Sequence, residues 1–150
     1  MDKAKLIDKL NEAISLELGA LLQYNQYSQV LLGPERQVWH EFFEDSMKES
    51  LDHARKFASR VVSLGGVPSV EPAPVKQTND LVQMLEDSLA VERRAVQIYT
   101  EARDLAEGNY AYSTLLEDQI LDETDDVEEL EKFLKKVKAA GGKSSAKAAG

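Results

Sequence analysis

Apolar residues return at alternating intervals of four and three along four long stretches of the chain, the repeat of a helix with one buried seam. The first seam reads Leu10, Ile14, Glu17, Leu21, Tyr24, Ser28, and the second Trp39, Phe42, Ser46, Glu49, His53, Phe57, Val61, Leu64. The third reads Leu81, Leu85, Leu89, Glu92, Val96, Tyr99, and the fourth Tyr112, Leu116, Gln119, Glu123, Asp126, Leu130, Phe133, Val137. Near the midpoint of every seam stands an ionisable group where an apolar one is expected. A buried charge is costly unless it is paired or bound to a metal. Four such groups at one level of a helical bundle make a candidate metal site.

Breaks in the pattern place the helices. Helix A spans about Asp2 to Leu32 and stops at Gly33-Pro34, and helix B spans about Glu35 to Leu64 and stops at Gly65-Gly66. Helix C starts after Thr78, Asn79 or Asp80, any of which can cap it, and runs to about Glu107. Gly108-Asn109 separates it from helix D, which ends near Ala140 and leaves 141–150 as a small, polar, flexible tail. The A–B and C–D links are short, so each pair forms an antiparallel hairpin. Between B and C the segment VPSVEPAPVKQ carries Pro68, Pro72 and Pro74, which hold it extended. Such a segment reaches about 35 Å at 3.1 Å per residue. A helix of about 30 residues is roughly 45 Å long. The link can therefore cross most of the bundle and deliver C parallel to B. The expected architecture is all-α: a four-helix bundle over 1–140, made of two antiparallel hairpins joined by one long crossover.

The halves also repeat. Glu17 precedes Tyr24 by the same interval as Glu92 precedes Tyr99, with Gln23 and Gln97 nearby. This sets A against C and B against D.

Composition narrows the chemistry. The chain has 150 residues and no cysteine, which excludes disulfides, thiolate metal sites and cysteine nucleophiles. Any metal is held by oxygen and imidazole, which suits iron, manganese or zinc. A formal charge of −9 argues against nucleic acid as a partner and favours cations. The charged stretch after Met1 has no signal-peptide pattern, and no apolar run is of membrane length, so a soluble, cytoplasmic protein is expected.

A two-metal carboxylate site in a four-helix bundle takes one Glu from each of two helices and a Glu-x-x-His from each of the others. The i, i+3 spacing puts both groups on one face. Glu17 and Glu92 fill the single-Glu roles. Helix B has His53, but Ser50 stands three residues before it, and helix D has Glu123, but Asp126 stands three residues after it. Glu17, Glu92, Glu123 and Asp126 still make four carboxylates, enough to neutralise two divalent cations. Glu49 can swing toward the same place. Taken singly, Tyr24, Tyr99 and Trp39 read as core residues.

Across nearly its whole length the chain resembles bacterioferritin. The carriers are SLELGALLQY in helix A, SLDHARKFASRVVSLGGVPS at the end of B, MLEDSLAVE in C, and ILDETDDVEELEKFL in D. The resemblance implies a ferritin-like fold and an intrabundle diiron site that oxidises Fe(II) with oxygen or peroxide and supplies iron storage. It puts Glu17, His53, Glu92 and Glu123 on ferroxidase ligand positions, Ser50 on that of a bridging Glu, and Asp126 on that of a second His. Tyr24 falls on a tyrosine beside the diiron centre, and Asp45 and Glu49 fall near an inner-surface iron site. Leu51 occupies the place of the family's haem-binding Met, and Met47 lies one turn away, so no haem is expected. The family's short fifth helix is replaced by KSSAKAAG. A homo-oligomer built on a two-fold dimer through A and B is therefore expected, with the full shell in question. The alternative function is a catalytically weak structural or partner subunit with a degenerate metal site, co-assembling with another bacterioferritin subunit.

Overall fold

The computed structural model describes residues 1–148, with side chains through Lys135, and these form four helices. They are α1 (Lys3–Val30), α2 (Arg36–Ser63), α3 (Leu81–Leu105) and α4 (Tyr110–Ala148). Helix caps set the starts: the Asp2 carboxylate accepts from Lys5 N at 3.3 Å, and the Asp80 carboxylate accepts from Gln83 N at 2.8 Å. Asp80 is thus the cap among the three candidates. α2 ends in a Schellman turn, with Gly66 N donating to Val61 O and Gly65 N donating to Val62 O, both at 2.9 Å. Gly65 takes φ +88°, a conformation open to glycine at little cost.

α4 continues to Ala148, past the end expected near Ala140. Two glycines cost about 1 kcal/mol each in a helix, and the good helix formers Lys143, Ala146, Lys147 and Ala148 flank them. The expected tail, 141–150, ends outside the described residues, and none of its side chains is among them. Among the described residues, no helix is long and apolar enough to cross a membrane.

α1 packs against α2 and α3, and α3 against α4. α1 and α3 are antiparallel: Lys9 pairs with Glu101 at 2.7 Å near one end, and the Tyr27 hydroxyl donates to Asp87 at 3.0 Å near the other. α3 therefore runs parallel to α2, which requires the long crossover. That segment, 64–80, lies along α1 in register with its turns. Asn11 donates to Val67 O at 3.0 Å and accepts from Ser69 N at 2.8 Å, and one turn on Ser15 O accepts from Ala73 N at 2.7 Å. Two turns further, Gln23 accepts from Lys76 N at 3.0 Å. Between them Gly19 leaves room for the Ala73 carbonyl, which would sit 2.7 Å from a Cβ at that position.

The apolar interior is divided. One cluster gathers Leu6, Leu10, Ile14, Phe57, Val61, Ile98 and Leu116, with Tyr99 at its border. The other gathers Tyr24, Tyr27, Phe43, Met84, Leu85, Leu89 and Leu130. In every helix the ionisable residue falls between the two: Glu17 between Ile14 and Ala20, His53 between Phe43 and Phe57, Glu92 between Leu89 and Ala95, Glu123 between Leu116 and Leu130.

Candidate metal centre

Each of the four helices presents at least one polar group to the layer between these clusters. Glu17, His53 and Glu123 are almost completely enclosed, at 3%, 3% and 2% exposure, while Glu92 and Asp126 are half-buried. The His53 Nδ1 lies 2.8 Å from a Glu123 carboxylate oxygen and 3.7 Å from one of Glu17. One ligand atom each from Glu17, His53 and Glu123 falls within a 4.8 Å span. A second set meets the same limit: Glu92, Glu123 and Asp126. Glu123 is common to both, on α4 between the pair on α1 and α2 and the pair on α3 and α4.

Two tyrosines fix the outer carboxylates. The Tyr99 hydroxyl donates to Glu17, and the Tyr24 hydroxyl donates to Glu92. Burial, first, and the neighbouring carboxylates hold both phenols well above their usual range, so they remain donors.

Protons hold this layer together when no metal is bound. Burial pushes the Glu92 carboxyl well above the usual range, and the Glu123 charge adds to it; the proton is shared in a hydrogen bond with Glu123. Glu17 is likewise raised, by burial first and then by Glu123, against the lowering effect of His53. On Glu123 burial is the largest influence and acts upward, but hydrogen bonds from His53 and Glu92 outweigh it and hold the carboxyl low. Burial pulls His53 down, yet its hydrogen bonds to Glu123 and Glu17 prevail and raise it to about 10. Asp126 is pushed up to about 7, by burial and then by the charges of Glu49 and Glu123.

A cavity of about 150 Å³ adjoins the layer, bounded by Tyr24, Glu92 and Asp126 on the inside and by Asp45, Glu49 and Glu129 toward solvent.

A model of the ferritin-like domain matches residues 7–140. The chain belongs to the ferritin-like family. It is 31% identical to a bacterioferritin of Brucella melitensis over 132 residues, which are 85% of this chain and 81% of that protein. A ferritin-like, diiron-carboxylate protein from Bacillus anthracis superposes with a TM-score of 0.86 at 34% identity, over 89% of this chain and 98% of the other. A dodecameric thioferritin from Bacteroides fragilis, a bacterioferritin-related protein, gives a TM-score of 0.86 at 25% identity, over 95% of this chain and 92% of the other. This ferritin-like chain has the four-helix bundle and long crossover expected from its sequence.

The donor set fits iron. Oxygen and imidazole converge in two overlapping groups, with no soft ligand and a carboxylate placed between them. Of the residues singled out in the sequence, Glu17, His53, Glu92, Glu123 and Asp126 come together; Glu49 does not join either group and is exposed at the cavity wall. Preceding Phe57 on α2, the buried positions are Ala54, His53, Ser50 and Phe43, so Ser50 and Phe43 face the interior where the sequence seam had Glu49 and Phe42. Tyr99 is the residue that the sequence reading left in the core. The equal Glu-to-Tyr spacing in α1 and α3 was the signal that could have placed it at the site.

Proposed function

We propose that this ferritin-like protein binds iron between its helices, oxidises Fe(II) with oxygen or peroxide, and serves iron storage. The observation behind it is Glu123, which belongs to both ligand groups found among the described residues. Glu17 and His53 would hold one ion with Glu123, and Glu92 and Asp126 the other. Iron bound there supplies the one-electron Fe(II)/Fe(III) couple, and the excess of carboxylate donors favours the ferric state. Before an ion enters, the proton on His53 and those on the raised carboxyls must leave, so loading releases protons to solvent. Tyr24 and Tyr99 hold Glu92 and Glu17 so that their free oxygens face the layer. The acidic cavity walls raise the local concentration of cations outside the site.

A second reading has a specific observation behind it. Ser50 stands buried in the layer, where it offers no carboxylate, and the second ligand group has no imidazole. A catalytically weak partner subunit, co-assembling with an intact bacterioferritin, has such a site. In either case we expect a homo-oligomer or mixed oligomer built on a two-fold dimer, as the dodecameric relative is itself multimeric, and a cytoplasmic location.

Aerobic Fe(II) oxidation followed by ferric absorbance, comparing the parent with Glu123→Ala, separates the readings. The ferroxidase reading requires oxidation well above the buffer rate, abolished by the substitution. A parent rate equal to that of Glu123→Ala favours the partner subunit.

A further inference from the structure

The two ligand groups share a plan and differ in one donor. Each has a glutamate fixed by a tyrosine from the opposite helix, Glu17 by Tyr99 and Glu92 by Tyr24, and each uses Glu123. The third donor is His53 in one and Asp126 in the other. The surroundings differ too. Every member of the His53 group is enclosed, at 2–3% exposure, whereas Glu92 and Asp126 are half-buried and border the cavity that Asp45, Glu49 and Glu129 line toward solvent. Ser50 fills the place on α2 from which a further carboxylate could close that side; it lines a narrow gap with His53, Glu92, Glu123 and Asp126, and Glu49 stands at the mouth of the same gap.

Imidazole nitrogen favours zinc, iron and copper, while sites of carboxylate and water suit manganese, magnesium and calcium. A donor exchange of this kind, in otherwise matched groups, changes selectivity rather than mere strength. We propose that the centre is divided by metal preference: the Glu17–His53–Glu123 half retains a borderline transition-metal ion, and the Glu92–Glu123–Asp126 half takes a hard divalent cation such as Mn(II), which it exchanges through the acidic cavity. The inference rests on the metal-binding reading above. The gap that reaches His53 is about 10 Å³, against about 150 Å³ for the cavity beside Glu92 and Asp126, so the ion of the enclosed half leaves more slowly.

The test uses the full-length, metal-free protein, loaded with one equivalent of Zn(II) and then with Mn(II), and read by electron paramagnetic resonance and metal analysis. The expected result is one retained zinc and the signal of isolated Mn(II). On addition of a chelator, manganese is lost in a fast phase and zinc in a slow one. Asp126→Asn, which keeps the size of the side chain, should lose the manganese and keep the zinc. Asp126→His should raise the preference of the outer half for Zn(II) over Mn(II) on the order of tenfold, the scale on which ligand surroundings alter metal affinity. Coupled Mn(II) pairs in place of isolated Mn(II), or zinc and manganese released in a single phase, would make the halves equivalent and overturn the inference while leaving a metal site in place. Failure to bind either ion would overturn the metal-binding reading itself.

Discussion

Tyr99 on α3 donates its hydroxyl proton to Glu17 on α1, and Tyr24 on α1 returns the same contact to Glu92 on α3. The exchange follows the internal repeat and fixes both outer carboxylates from the opposite helix. Tyr99→Phe leaves the enclosed Glu17 short of a donor, at a cost of about 1–3 kcal/mol, and Tyr24→Phe does the same to the half-buried Glu92 at the lower end of that range. Metal affinity should fall about 10- to 100-fold, the usual effect of removing a group that orients a ligand. Zinc titration of Tyr99→Phe and Mn(II) titration of Tyr24→Phe check this. An unchanged affinity in either variant would contradict the orienting role of its tyrosine.

Stability without metal should depend on pH with a definite sign. Burial raises Glu17, Glu92 and Asp126, the last to about 7, so the folded state binds those protons more tightly than the unfolded chain. The stability they contribute is full below the ordinary carboxylate range and is lost as pH rises, through about 7 for Asp126. His53 has the same sign: its contribution is full below 6.5 and lost toward about 10. Glu123, held low, acts oppositely and only in acid. Metal-free protein should therefore melt at a lower temperature at about pH 8 than at about pH 5, and Asp126→Asn should flatten the fall. Bound zinc should stabilise more as pH rises, since ligand protons no longer compete. Metal-free melts that rise with pH would contradict this ionisation scheme.

Much of this was legible in the sequence because helices announce themselves by period and stops. Gly65-Gly66 and Asp80 mark ends that the backbone confirms, and the proline-rich link required the long crossover. The candidate ligands Glu17, His53, Glu92 and Glu123 were visible as charges interrupting apolar seams. Two features were not. Glu49 and Ser50 lie four and three residues before His53, steps that the helical repeat allows equally, and only packing against the other helices buries Ser50. Tyr99 reads as one more aromatic core residue until the partner carboxylate on α1 is placed against it.

Restoring the missing donors should test Ser50 and Asp126 directly. Ser50 is buried in the layer at 5% exposure, so Ser50→Glu adds a further carboxylate there. That variant should melt lower than the parent when metal-free and recover on adding metal, because mutual repulsion is relieved only by cations. Ser50→Glu with Asp126→His keeps the carboxylate count and should oxidise Fe(II) faster than the parent. Equal rates would contradict the role given to these positions.

Gly19 offers a test of the crossover. Glycine to alanine inside a helix normally stabilises by about 0.5–1 kcal/mol. Here the new Cβ would sit 2.7 Å from the Ala73 carbonyl oxygen, which is backbone and cannot step aside alone. Overpacking of this kind costs about 1–3 kcal/mol. Gly19→Ala should therefore lower the melting temperature by several degrees, on a scale of about 2–4 °C per kcal/mol. A higher melting temperature would mean that the link does not press on α1.

The central claim is that two ions would bind inside one bundle with Glu123 as a ligand common to both. Anomalous-scattering maps from iron-soaked crystals test it most directly. The account predicts two iron peaks per chain about 3.5–4 Å apart, the spacing of two-metal sites, with Glu123 between them, His53 beside one and Asp126 beside the other. A single peak, or peaks confined to the outer acidic cavity, would contradict it.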